Sequence, residues 1–455
     1  MVEFSGWDIF VIGVFVFLTI LIGLLSSRKT TSKADDFLLA GRNVGLFTFV
    51  LINVSTWYGG ILGVGEFSYR YGLLAWFTQG FPYYFFAIFF ALFLVKKIRG
   101  ANLFTIPEKI FREYGKGAGL WSAILVFILV TPAPYLLMVG SLIDLVFRTG
   151  ILPALIIGAV ISMIYLFWGG FRANVWVDSF LFFVMFGGFI ITLAVLVFNF
   201  GGLSFLESNL PAAHLRFTGE ASPFFIIVWF LIAAWTFADP GFHQRTYSAS
   251  SGKTAKWGII ISVFFWALFD FLTNGIGLYA KAILPDLPQP VLSYPLLAEK
   301  VLSGGLKGLF YAAMFATIVS TLNSFLFLSA TTISVDFIRK FSPEFEGVNI
   351  RKLTSIGLIV TTTLSVMLAY MVPSVITMWY TIGSVCIPSL LVLIITAYYP
   401  RLRIKTEWLL GESILAAIVS FLWFISGMEG EPMLIGIGVV LAVHTIVKIF
   451  NRAAE

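Results

Sequence analysis

The sequence predicts an all-α polytopic membrane protein of about thirteen transmembrane helices, and three observations predict it. Hydrophobic residues make up 59% of the 455 and charged residues only 11%, a balance that water-soluble globules do not reach. Apolar stretches of about 20 residues, enough to cross a hydrocarbon core of about 30 Å, recur along the chain. The basic residues between them then alternate in side. With an outside N-terminus, 23 of the 29 Lys and Arg fall inside and 6 outside, the asymmetry that cytoplasmic loops carry. The short alternating segments of a membrane β-barrel are not the pattern here.

The first span, 7–27, has Glu3 and Asp8 before it and Arg28, Lys29 and Lys33 after it. A secretory signal would be basic in front, so this reads as an uncleaved leading helix that ends inside. The span 44–66 contains NVSTWYGG (53–60), whose Asn, Ser, Thr and paired Gly favour chain breakage. Spans follow at 73–95 and 118–147. Between them NLFTIPEKIFREYG (102–115) reads as a short interfacial helix, with Thr105 as N-cap, Pro107 in the first turn and Glu108 three residues past the cap. Next come 151–169, 174–200 and 222–240, the last stopped abruptly by Asp239, Pro240 and Gly241 in TFADPG (236–241). Spans at 257–283, 308–335, 353–372, 374–399, 407–427 and 432–450 complete the series. PVLSYPLLAEKVL (290–302) reads as a second short helix, outside. The gaps between spans are loops, so residues 1–455 form a single membrane domain in the cell (inner) membrane, with a cytoplasmic C-terminus.

With the leading helix set aside, the two breakable spans are the first and sixth of the remaining twelve. A five-helix unit is inserted upside down when it repeats, so breaks five helices apart point to an inverted-repeat transporter. The units would be 44–200 and 222–399, with 407–450 as two trailing helices. The net charge of +6 reflects basic cytoplasmic loops beside anionic lipid and gives no reason to invoke nucleic acid. The single Cys386 excludes an intrachain disulfide and a cysteine cluster for zinc.

The chemistry concentrates in TIVSTLNS (317–324), inside a run from Leu309 to Ile333 with no charged residue. On a helix with Ser320 at the origin, Ser324 falls at about 40°, Thr317 at about 60° and Thr321 at about 100°, with Asn323 at the edge near about −60°. A lone Ser or Thr would serve close helix packing. Four on one arc, facing a broken helix with free carbonyls, suit an alkali cation, which wants several oxygen ligands. Asp178 and Asp270 are intramembrane acids, costly and therefore functional candidates. Asp178 reads as a cation ligand, a proton carrier or a partner for Arg172. Asp270 could bind a cationic solute, take a proton or bond a neighbouring helix. No Ser–His, paired Asp or His cluster is placed for catalysis, which excludes an enzyme.

Four signatures give the chain a family resemblance. GGFRANVWVDSF (169–180) is similar to the pattern Gly-Gly-x-x-Ala-Val-x-Trp-Thr-Asp, and FADPGFHQRTYSASS (237–251) to Phe-Gly-x-Pro-His-x-x-Gln-Arg-Phe. TIVSTLNSFLFLSATTISVDFIRK (317–340) resembles a Ser-Thr helix ending in Asp-Ile-Tyr-Lys, and EFSYRYG (66–72) with TIPEKIFREYG (105–115) matches loop phrases. Together they resemble the sodium:solute symporter family. The resemblance implies the leucine-transporter fold and sodium-coupled import of a small organic solute. It implies a main sodium site made by the carbonyls of Leu51, Val54 and Thr317 and the hydroxyls of Ser320 and Thr321. Some members bind a second sodium, and Asp178, Asn323 and Ser324 fit that pattern, with Asn323 where Ser is usual. Substrate residues carry over poorly; the lining is expected from Ser55, Thr56, Trp57, Tyr58, Gln79, Trp235, Tyr380 and Thr381. Two alternatives stand beside this reading. One is a proton-coupled symporter of the same fold. The other is a non-transporting sensor module, which usually carries an appended soluble domain; this chain ends at Glu455, soon after its last span. No obligate protein partner is expected.

Overall fold

A computed structural model describes residues 2–340, 343–345 and 347–454. Among these the architecture is all-helical, with one isolated β-bridge between Val44 and Ala249. Eleven helices among the described residues are long and apolar enough to cross a membrane. The two other expected spans fall on shorter helices: 44–66 on Leu46–Ser55 and Ile61–Tyr71, and 151–169 on Ile151–Met163. Thirteen crossings therefore do not follow from helix length alone.

Both expected breaks are present. At the first, Thr56 Oγ1 turns back to the Ile52 carbonyl at 2.7 Å, and the chain leaves the helix over Thr56–Gly60. Glycine is required here by contact. A Cβ on Gly59 would collide with Thr321, and one on Gly60 would meet the Trp379 ring at 2.5 Å. At the second break, Pro223–Ile232 tightens into a 3-10 turn over Ala233–Phe237 before a new helix, Pro240–Ser248, begins. Asp239 caps that helix by accepting from the Phe242 amide at 2.8 Å, and Pro240 fits its first turn. The start of the first broken helix and the end of the second are tied through the β-bridge. The Val44 amide donates to the Ser248 carbonyl at 3.1 Å, and the Ser250 amide to the Val44 carbonyl at 3.0 Å.

The expected short helix at 102–115 forms. Thr105 accepts from the Glu108 amide at 3.1 Å, and Gly115, at φ 81°, kinks the chain into the next span. That span differs from expectation. It does not run unbroken from 118 to 147 but stops at Leu129 and restarts at Ala133. Pro132 and Pro134 remove amides that would continue the helical ladder.

The Leu306–Thr331 helix lies at the centre, buried along almost its whole length. Small residues bring its neighbours close, as membrane helix packing requires: Gly188 of Leu166–Phe200 faces Ala313, and Gly308 faces Asp8 of the leading helix. Asp8 caps Gly6–Ser27 in a capping box with Ser5 and also accepts from the Gly305 and Gly308 amides, both at 2.8 Å. One buried carboxylate thus joins the start of the leading helix to the start of the central one.

Candidate functional site

Thr317, Ser320, Thr321 and Ser324 are all buried, and the stripe they form faces the first break. Thr321 Oγ1 donates to the Thr56 carbonyl at 2.9 Å and lies 3.4 Å from the Thr317 carbonyl. Ser320 Oγ lies 3.1 Å from Ser55 Oγ and donates to Asp178 Oδ1 at 2.7 Å. Thr317 Oγ1 turns back to the Met314 carbonyl at 2.7 Å. Leu51 and Val54 occupy the last turn before the break, and the Val54 carbonyl accepts the Trp57 amide at 3.2 Å. A hydroxyl that donates its one proton keeps its lone pairs. The junction therefore offers hard, mostly uncharged oxygens to an alkali cation.

Below it, Asn174 bridges two of the expected ligands. Its Nδ2 donates to Asp178 Oδ2 at 2.9 Å and to Ser324 Oγ at 3.0 Å. Arg245 Nη2 reaches the same Ser324 hydroxyl at 3.4 Å, so a buried guanidinium belongs to this network. Arg172 pairs with Asp36 instead, which removes the reading in which Asp178 anchors Arg172. Asn323 turns aside and donates to the Tyr165 hydroxyl. Its Oδ1 is buried with no hydrogen-bond partner among the described residues.

Beyond the break the surroundings become aromatic. Trp57 meets Trp266 at 4.9 Å, Tyr83 at 5.2 Å and Phe242 at 5.6 Å between ring centroids. Tyr58 donates its hydroxyl to the Trp266 carbonyl at 2.8 Å. Trp235 packs against Gly383, and Trp379 lies on Gly60 and 5.7 Å from Tyr135. Gln79 has a buried Nε2 with no partner among the described residues. The other expected lining residues have local commitments. Tyr380 donates to Glu431 at 3.0 Å and stacks near Phe424, and Thr381 donates to the Thr377 carbonyl at 2.8 Å. Asp270 accepts from the Tyr84 hydroxyl of another helix, the third of the roles open to it. Sequence reasoning did not select Asn174, Tyr83, Tyr135, Arg245 or Trp379. Asn174 alone had a usable signal, its i,i+4 spacing to Asp178 on one helix face.

A model of the sodium:solute symporter family matches residues 37–405. The chain belongs to the sodium:solute symporter family. It is 26% identical over 400 residues to the sodium/glucose cotransporter of Vibrio parahaemolyticus, covering 77% of this chain and 72% of that one. In structure it is similar to a Na+-coupled sialic acid symporter, with a TM-score of 0.80 at 19% identity over 98% and 97% of the two chains. It is also similar to Mhp1, a nucleobase-cation-symport-1 family transporter, at 0.60 and 14% over 90% and 93%. At such identities these structures establish the fold, which is the leucine-transporter fold. As a member of the family this symporter uses sodium to drive a small solute across the membrane. It is a transporter and not an enzyme, and the sensor-module reading is not favoured.

Proposed function

We propose that the junction between the first break and the central helix is the sodium site through which this symporter imports its solute by alternating access. The main site would use the carbonyls of Leu51, Val54 and Thr317 with the hydroxyls of Ser320 and Thr321. The observation that carries the reading is the direct meeting of hydroxyl stripe and broken helix: Thr321 Oγ1 to the Thr56 carbonyl at 2.9 Å and Ser320 Oγ to Ser55 Oγ at 3.1 Å. A second sodium would sit between Asp178 and Ser324, with Asn323 at its edge. The Asn174 bridge supports that pairing, while Arg245 opposes it by placing positive charge on Ser324. The solute would lie against Trp57 and Trp235, with Ser55, Thr56, Tyr58 and Gln79 around it; Tyr380 and Thr381 have less support.

Residues 44–200 and 222–399 are read as the two inverted repeats, because the interruptions at Thr56–Gly60 and at Ala233–Asp239 occupy matching helices. The protein is placed in the inner membrane with its N-terminus outside, on the distribution of basic residues. Ser208→Cys and Lys253→Cys, on a Cys386→Ser background, then react with an impermeant thiol reagent from opposite faces. Labelling of both from one face would overturn the orientation.

The ion assignment is tested on purified protein without any solute. Sodium should raise the thermal midpoint in a saturable way that potassium at equal ionic strength does not reproduce. Equal stabilisation by both ions would overturn it.

A further inference from the structure

A concave surface lies away from the ion junction, where the starts of two long helices meet. A cavity of about 500 Å³ is lined by Phe167 and Trp168, at the start of Leu166–Phe200. Its other wall is Asn349, Arg351, Lys352 and Ser355, at the start of Ile350–Met371. The first wall belongs to the proposed first repeat and the second wall to the other. No acidic residue is in the lining. Asp35 and Asp36, in the segment after the leading helix, are paired with Arg42 and Arg172. Glu344 lies in the preceding turn, outside the lining.

The polar groups are mostly donors. Arg351 Nη2 donates to the Thr30 carbonyl at 3.0 Å, which fixes the guanidinium, while its Nε is buried with no partner among the described residues. Thr30 follows Arg28 and Lys29, both exposed, so that bond brings two further cations to this end of the bundle. Lys352 is exposed. Asn349 Oδ1 accepts the Arg351 amide at 2.9 Å, and its NH2 group is a donor. Beyond the cavity the surface turns apolar. Ile356, Ile359 and Val360 are exposed and lie four, seven and eight residues past Lys352, on one helix face with it. Thr362 Oγ1 reaches Met163 Sδ at 3.5 Å, so Ile151–Met163 flanks this helix, with Ile156, Ile157 and Val160 exposed as well. A merely solvated basic loop would need neither the concavity nor the buried, unpartnered Arg351 Nε.

A basic pocket that opens on an apolar stripe matches a molecule with an anionic head and a hydrocarbon tail. Free phosphate would use the head end alone. The cytoplasmic leaflet supplies molecules with both ends, and basic pockets between helices on that side suit their headgroups. Trp168, exposed at the mouth, is the residue type that sits at headgroup level. We propose that this cavity binds an anionic phospholipid, its phosphate held by Arg351 and Lys352 and an acyl chain laid along Ile356, Ile359 and Val360. One lipid would then bridge the two repeats. The proposal goes beyond the transport reading, and its test is independent of the ion and solute assignments.

The test uses the purified full-length protein in detergent at constant sodium, with the thermal midpoint as readout. Phosphatidylglycerol, phosphatidylcholine and inorganic phosphate are titrated separately. Phosphatidylglycerol is expected to stabilise in a saturable way that neither of the others reproduces. Lys352→Gln should raise the lipid concentration for half-maximal effect about fivefold, the share of one basic group facing anionic lipid. Lys253→Gln, an exposed basic residue away from the cavity, should leave it unchanged. Trp168→Ala should also weaken the lipid effect, and sodium alone should still stabilise every variant, which shows that each is folded. Equal stabilisation by phosphatidylcholine would overturn the proposal, and an equal effect of inorganic phosphate would reduce the cavity to a simple anion site. Equal responses of Lys352→Gln and Lys253→Gln would move the lipid elsewhere and overturn it too.

Discussion

The two sides of the first break are built from different chemistry. On one side, toward the central helix, lie Ser55, the Thr56 carbonyl, Ser320 and Thr321, small groups that meet in two pairs at 3.1 and 2.9 Å. On the other lie Trp57, Tyr83, Trp266 and Phe242, rings spaced at 4.9 to 5.9 Å. The first side suits an ion that must be stripped of water and held by short oxygen contacts. The second suits a larger body held by area and shape. One five-residue interruption serves both, because a helix that stops frees carbonyls toward one neighbour and turns side chains toward another. Ion and solute would then bias the same hinge, which is what coupling between two ligands requires.

Breaking the hinge itself should have the largest effect. Gly59→Ala places a methyl group where Thr321 stands, so the break must move away from the hydroxyl stripe. A displacement of about 1 Å can cost about a hundredfold in a positioned reaction, and a loss of sodium-driven uptake of at least about that size is expected at normal surface expression. Gly63→Ala is the control. Its nearest neighbour, Trp379, is 3.6 Å from the new carbon, so uptake should persist. Equal activity in both variants would mean that the close approach of break and stripe has no role.

The next effect belongs to the ion side alone. Ser320→Ala and Thr321→Ala each remove one proposed ligand oxygen. A hydrogen bond or ligand to a charged group contributes about 1.5–3 kcal/mol, so each change should raise the sodium concentration for half-maximal uptake by about tenfold or more. Thr317→Ala should change it little, because the proposed ligand there is the carbonyl and the hydroxyl is already turned to Met314. Sodium titrations of the three variants check this. Unchanged values for Ser320→Ala and Thr321→Ala would remove the assignment.

The hydroxyl stripe that meets the first break was legible in the sequence, and the reason is periodicity. Thr317, Ser320, Thr321 and Ser324 lie on one helix, so their spacing alone puts them on one face, and a polar stripe in an uncharged run stands out. Both breaks were legible too, since Gly, Pro and Asx residues act locally. The aromatic side was not. Tyr83, Tyr135 and Trp379 come from separate helices, and with 49 Phe in the chain one more ring is no signal. Asp239 read as a helix stop because a cap is a local property. Arg172 and Asp178 are close in sequence, yet the partner of Arg172 is Asp36, 136 residues away.

Asp178 is the middle case, since it bonds the stripe through Ser320 but is joined through Asn174 to Ser324, which Arg245 also reaches. A second sodium at Asp178 and Ser324 should disappear in Asp178→Asn, lowering the sodium Hill coefficient toward one while the main site still couples. A proton carried by Asp178 should instead leave uptake in the variant independent of pH. Charge moved per solute in proteoliposomes, measured across a pH series for both proteins, separates these outcomes. An identical ratio and pH profile at normal expression would take Asp178 out of coupling and leave it as the acceptor that orients Ser320.

The smallest effect should come from Tyr380, and it sharpens the aromatic side by subtraction. Its neighbour Trp379 lies on Gly60 at the break, whereas the Tyr380 hydroxyl is bonded to Glu431 at 3.0 Å and its ring meets Phe424. Phe424 belongs to the Thr406–Ser426 helix and Glu431 to the turn just before the last helix, Pro432–Ala454, both outside the proposed repeats. Tyr380→Phe removes only the hydroxyl, at a cost of about 0.5–1.5 kcal/mol for a half-exposed hydrogen bond, and the loss should appear as lower stability. The half-saturation value for solute should move by less than about twofold, and the sodium value not at all. Trp379→Ala, one residue earlier, should raise the solute value severalfold, because it removes a ring from the wall at the break. Solute-uptake curves for the two variants decide the matter: a larger effect from Tyr380→Phe than from Trp379→Ala would put the solute against the trailing helices and not against the first break.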